Sequence, residues 1–199
     1  MNPLKSITGT IVSGIILAII IVFLLRGEGG SNPLEWTVWF HVVVGITWIG
    51  LLYYFNFVQV PAVAKALSDG DPGPAAINKY VAPRALLWFR WAAVLTWLSG
   101  AAALGKMGIL KDAFLLDPSN NVNAPIIGMG AWLGTIMLFN VWVLIWPNQK
   151  KILGLDGKEH SAEEIARAKT IALMASRTNT LLSIPMLLGM TAYAHGLPF

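Results

Sequence analysis

ITGTIVSGIILAIIIVFLL, residues 7–25, carries no charged side chain and decides the fold. A helix of about 20 such residues rises about 30 Å, the thickness of a bilayer's hydrocarbon core. Its apolar run is longer than the core of a cleaved signal peptide, which argues that it is a retained span. The rest of the chain has the same character. Of 199 residues, 56% are hydrophobic and only 12% charged, and the mean hydropathy is +0.64. A soluble domain has about twice that share of charge. The sequence therefore predicts an integral membrane protein.

Four further segments have spanning length: Leu34 to Val58, Leu86 to Gly105, Pro125 to Trp146 and Thr178 to Ala194. Together with the first they predict an all-α bundle of five transmembrane helices, folded as one domain over residues 1–199. The connections read as polar breaks. Arg26 opens a Gly-rich turn through Asn32, and Ser68 to Pro74 holds two aspartates, two glycines and two prolines. A polar stretch from Asn148 to Lys169 separates the last two spans, and Ser161-Ala-Glu-Glu164 within it has the pattern of a helix N-terminus.

Lysine and arginine orient the bundle, because they favour the cytoplasmic side of short connections. Lys65, Lys79 and Arg84 lie between spans two and three; Lys150, Lys151, Lys158, Arg167, Lys169 and Arg177 flank the connection between spans four and five. The opposite connections offset their few cations with acids: Arg26 with Glu28 and Glu35, Lys106 and Lys111 with Asp112 and Asp117. The N-terminus is thus expected in the cytoplasm and the C-terminus outside. Net charge is +4; in this setting it belongs to topology and not to nucleic acid, which is not expected as a partner. There is no cysteine, so disulfides, thiolate metal sites and covalent c-type haem attachment are excluded, and His, Met and carboxylates remain as ligands.

That topology puts two histidines at one depth. His41 falls about 10 Å below the outer end of span two at 1.5 Å per residue, and His195 is delivered to the same side by span five. An imidazole in hydrocarbon needs a partner, so each is a functional candidate. His41, Gly45, Trp48 and Leu52 share one helix face by their spacing. Gly100, Ala103, Gly128, Gly130 and Gly134 line the outer halves of the other spans. Small residues beside an imidazole leave room for a flat macrocycle; they are also what membrane helices use for close packing. Two imidazoles can ligate haem b axially, with His41 and His195 as metal ligands, Gly45 and Trp48 shaping the cavity, and Met129 or Met190 as alternatives to His195. His195 also fits a plain headgroup position beside Gly196 and Pro198. His160, in a polar loop, reads as solvated.

A second polar set occupies the inner half: Asn56, Arg90, Asn140, Arg177 and Asn179. Arg90 sits within Trp88-Phe-Arg-Trp91 and must snorkel, pair or bind an anion, haem propionates included. No carboxylate lies within the predicted cores of the spans, which weighs against a proton-driven transporter.

The stretch WFHVVVGITWIGLLYYFNFVQVP, residues 39–61, followed by PRALLWFRW, residues 83–91, resembles the N-terminal membrane domain of bacterial cytochrome c-linked urate oxidases. A histidine followed by Gly, Trp and Gly at similar spacing is also similar to haem-binding protoporphyrinogen oxidases and copper-export membrane proteins; the Tyr53-Tyr-Phe-Asn-Phe-Val-Gln59 run points to the urate oxidase group. The resemblance implies a membrane redox protein, an oxidoreductase related to urate oxidation in the bacterial inner membrane. Members of that family that couple urate oxidation to the respiratory chain carry a cytochrome c domain after the membrane part. With no cysteine here, a shared activity implies electrons leaving to a separate cytochrome c or another redox-complex subunit. Beside lipid, a second copy in a homo-oligomer is compatible. The alternative is a non-catalytic subunit or assembly factor whose polar residues glue helices or bind lipid.

Overall fold

The computed structural model describes residues 2–25 and 30–198. Arg26 and Glu28, assigned above to an outer turn, lie outside the described residues. Contacts divide the chain into two compact units, Met1–Pro33 and Leu34–Phe199.

In the first unit, helix α1 spans Ile7–Leu25. It begins where Ser6 Oγ accepts the Gly9 N–H at 3.0 Å, satisfying one of the donors a helix start leaves open. Its Ile, Leu, Val and Phe side chains are exposed around the whole circumference, as expected of a helix that is apolar all round and meets lipid.

The second unit holds four long helices and a short one: α2 (Pro33–Asp69), α3 (Ile77–Lys106), α4 (Leu110–Leu115), α5 (Ala124–Ile152) and α6 (Ala162–His195). No strand occurs among the described residues. With α1, the long helices make five that are long and apolar enough to cross a membrane. The helices exceed the predicted spans, chiefly at the lysine-bearing end. There the chain continues as helix once the apolar run stops, because residues such as Ala62 to Leu67 keep good helix propensity without needing lipid. Asn148 to Lys169 is accordingly no single loop: α5 runs through Ile152, and α6 starts at Ser161, whose side chain and that of Glu164 form a reciprocal capping box. The connection after α3 contains α4, a turn of helix the sequence reading lacked.

Three segments are π-helical: Tyr54–Gln59, Ile77–Val81 and Asn140–Ile145. Each is followed, one residue on, by an X-Pro pair, at Pro61, Pro83 and Pro147. Proline has no N–H and its ring collides with the carbonyl four residues back. The residue before each proline bonds five residues back instead, Val60 to Phe55, Ala82 to Ile77 and Trp146 to Val141, widening the turn ahead of the ring.

The four long helices of the second unit form a ring. α2 meets α3 through His41 and Thr96 and α6 through Tyr53 and Ser183; α3 meets α5 through Trp97 and Thr135; α5 and α6 have the most intimate contact. The core inside the ring holds Trp48, Leu52, Phe55, Phe89, Met137, Val141 and Met186. Where backbones approach most closely there is glycine. The Ala113 carbonyl of α4 occupies the place a Cβ would take at Gly128, and Gly189 faces Ile126 O and Gly130 N across the α5–α6 seam.

Candidate functional site

His41 is the polar centre of the contact between α2 and α3. Its Nδ1 lies 2.9 Å from the Thr96 carbonyl and 3.3 Å from Ser99 Oγ. A carbonyl can only accept, so Nδ1 carries the proton, and in the neutral ring the lone pair is on Nε2. Ligating histidines are commonly prepared this way, with the second ring nitrogen donating to a backbone carbonyl that orients the ring and raises its basicity. Nε2 makes no hydrogen bond among the described residues. The ring closes over Gly100, where a Cβ would stand 2.9 Å from His41 Cε1. One turn along α2, Gly45 packs on Thr96, its missing Cβ 3.7 Å from Cγ2. Trp48 and Leu52 continue the face into the core, 2% and 0% exposed. Trp48 Nε1 is buried with no hydrogen-bond partner among the described residues; an unpaired indole N–H in such surroundings costs on the order of 1–3 kcal/mol. A shallow groove of about 410 Å³ runs beside this contact between α2 and α3, lined by Trp36, Phe40, Leu95, Leu98 and Ser99 among others.

His195 reaches the same level but not the same place. Tyr53 bonds Ser183 at 2.9 Å and Asn56 bonds Ser176 at 2.8 Å, so α2 and α6 run antiparallel. His41 precedes Tyr53 by as many residues as His195 follows Ser183, about 18 Å of helix rise in each case. On α6, however, His195 belongs to the stripe of Ile184, Leu188 and Thr191, all exposed, while Ser176 and Ser183 form the side toward α2. Met190 is half-buried, its Cε against Gly130; Met129 lies against Gly189.

Arg90 stands apart from His41. Its guanidinium carbon is 3.9 Å from the centre of the Trp146 ring on α5, on the α3 stripe that also carries Trp97. The other polar residues of that half join helices: Asn140 Nδ2 donates to Asn179 Oδ1 at 2.9 Å, Asn179 Nδ2 to the Met137 carbonyl at 3.0 Å, and Asn56 to Ser176. Arg177 is exposed. His160 is not solvated: its side chain is 11% exposed and bonds Asp156 at 2.8 Å, because the loop folds back one helical turn before Ser161. That bond holds the Asp156 carboxyl below the ordinary carboxylate range. Among the described residues there is no cluster of three or more His, Cys, Asp or Glu side chains that could hold a metal ion.

Residues 113–199 match the family model for the urate oxidase N-terminal domain. That match covers less than half of the 199 residues. No curated protein and no solved structure matches the chain. The matched part covers α5, α6 and the second half of α4, and with them His195, Met129, Met190 and Trp146. It leaves out His41, Gly45, Trp48 and Arg90, and also the two segments, 39–61 and 83–91, on which the resemblance in the sequence rests.

Sequence reasoning missed Thr96 and Ser99. The signal was present: Thr96-Trp-Leu-Ser-Gly100 is the polar, small-residue turn of span three that an antiparallel register sets opposite His41. Its glycine gives a prediction. Gly100→Val should push the imidazole off α3 and break the Nδ1 bond; in a protein labelled with ¹⁵N-histidine the His41 Nδ1 proton signal should disappear. Its persistence at an unchanged shift would show that the ring does not rest on Gly100.

Proposed function

We propose that this chain is a membrane-bound haem b redox protein of a urate-oxidising system in the bacterial inner membrane, and that electrons leave it for a separate cytochrome or other redox subunit. The carrying observation is the His41 geometry: Nδ1 is committed to Thr96 and Nε2 is left as a lone pair. That is what an axial ligand needs. Bound there, haem would supply one-electron transfer at a potential set by its axial ligands and their hydrogen bonds.

The protein's own part is to hold and tune. Thr96 fixes the tautomer, Ser99 steadies the same nitrogen, Gly100 lets the imidazole approach α3, and Trp48 offers an unpaired N–H from the same face. His195, level with His41 but on the exposed stripe of α6, would have to be brought round to it to serve as the proposed second ligand; Met190 is the alternative. The name of the matched family model supports urate as the substrate class. Reduction by urate under anaerobic conditions tests this directly: a fraction of the bound haem should become reduced, and ferricytochrome c added afterwards should reoxidise it and itself be reduced for as long as urate remains. Haem that stays oxidised with urate yet responds to dithionite would remove urate oxidation from the account.

The glycines favour a second reading, that of a non-catalytic subunit. Gly100, Gly128 and Gly130 are filled by His41, the Ala113 carbonyl and Met190 of the same chain, which is the close packing expected of membrane helices.

The orientation proposed is N-terminus inside and C-terminus outside, from the lysine and arginine asymmetry. Single cysteines introduced at Ser31 and Ser161 test it in a chain with no other thiol. An impermeant maleimide applied outside should label position 31 and spare position 161; the reverse pattern overturns the orientation.

A further inference from the structure

We propose that Arg90, Trp146 and Lys150 form a binding site for a phosphate group at the lysine-bearing end of the bundle, separate from the His41 site and independent of haem. Two cations lie over one indole: the Arg90 guanidinium carbon is 3.9 Å from the Trp146 ring centre and Lys150 Nζ is 5.7 Å from it. Their separation cannot exceed the sum of those distances, so each raises the cost of the other. An acid between them would offset this, yet neither forms an ion pair among the described residues. The salt bridges there are Lys65 with Asp69 and His160 with Asp156 and Glu164. Lys151, the neighbour of Lys150, has Glu164 within electrostatic reach.

Arg90 is only partly exposed, and its five N–H groups donate to no acceptor among the described residues. Stacking on Trp146 contributes attraction and fixes the plane of the fork, but it satisfies none of those donors. A planar, oriented, donor-rich cation with a second positive charge near the same indole matches a phosphate oxygen pair, which guanidinium binds bidentately. Its position suits that ligand. Trp146 and the exposed Trp88 and Trp91 lie where an interfacial aromatic belt places such rings. Phospholipid phosphates lie at that level, and clusters of basic residues there attract anionic lipid. The same fork would also accept a free phosphate, so the test has an arm for each.

The full-length protein is purified in a zwitterionic detergent. Binding is read by native mass spectrometry and by quenching of tryptophan fluorescence with phosphatidylglycerol, phosphatidylcholine or inorganic phosphate. Phosphatidylglycerol should bind at least about tenfold more weakly to Arg90→Gln, the loss of one charge-assisted pair of hydrogen bonds, and several-fold more weakly to Lys150→Gln. Lys65→Gln, whose cation is already paired, should bind as the parent does. Arg90→Lys should recover part of the loss. Inorganic phosphate that competes at millimolar concentration identifies the phosphate itself as the ligand; competition by phosphatidylglycerol alone identifies the lipid. If Arg90→Gln remains monodisperse and helical but binds both as tightly as the parent, or if Lys150→Gln and Lys65→Gln are indistinguishable, the site is overturned and Arg90 only snorkels.

Discussion

A His41→Ala variant should reach the membrane and remain helical but retain less than about a tenth of the parent's haem, since losing even a partner that orients a ligand commonly costs about 10- to 100-fold in affinity. The bundle should tolerate the change, because His41 is half-buried at one end of the α2–α3 contact and the core below it, from Trp48 to Phe89, is untouched. His195→Met should behave differently. The side chain lies on an exposed stripe, so packing is unaffected, and a thioether in place of an imidazole should leave haem bound while raising its potential and shifting its spectrum. Haem content is measured as the pyridine haemochrome per mole of protein. Equal retention in His41→Ala and the parent would take the ligand role from His41; an unchanged spectrum in His195→Met would take it from His195.

The largest effect on stability should come from Gly128. The Ala113 carbonyl occupies the space of its absent Cβ, and that neighbour is backbone, which cannot rotate away. Gly128→Val must part α4 from α5, at a cost of about 1–3 kcal/mol by analogy with overpacked cores. Gly134 is the internal comparison: it lies on the same helix, is also buried, and has nothing within 4 Å of its Cβ position. Thermal unfolding in detergent, followed by tryptophan fluorescence, should show a clear fall for Gly128→Val and little change for Gly134→Ala. A similar fall in both would mean that helix propensity, not close packing, explains these glycines.

Much of this architecture is legible in the chain because a bilayer imposes so simple a rule. Any run of about 20 apolar residues must cross it as a helix, and all five spans follow. What escaped is local or relational. The extensions beyond the apolar runs depend on propensity and capping, to which a hydropathy threshold is blind, although Ser161 and Glu164 announced one of them. The π turns were written in Pro61, Pro83 and Pro147, but a proline equally signals a helix end, and only the chain's continuation past it distinguishes the two. His41 was found because a histidine in a span is conspicuous. Thr96 and Ser99 were not, because hydroxyls in membrane helices usually bond their own backbone, as both of these also do. The depth of His195 follows from counting residues along a helix; its direction depends on the rotation of α6, which the contacts of Ser176 and Ser183 set and no single-helix pattern reveals.

The claim on which the functional account depends is that this chain holds haem b on His41. The direct measurement is the visible absorption spectrum of the intact protein, purified from cells supplied with ample haem, before and after reduction by dithionite. The account predicts a Soret band that moves to longer wavelength on reduction, with sharpened α and β bands, present in the parent and largely lost in His41→Ala. A parent protein that is helical, monodisperse and colourless would contradict it and leave the non-catalytic reading in its place.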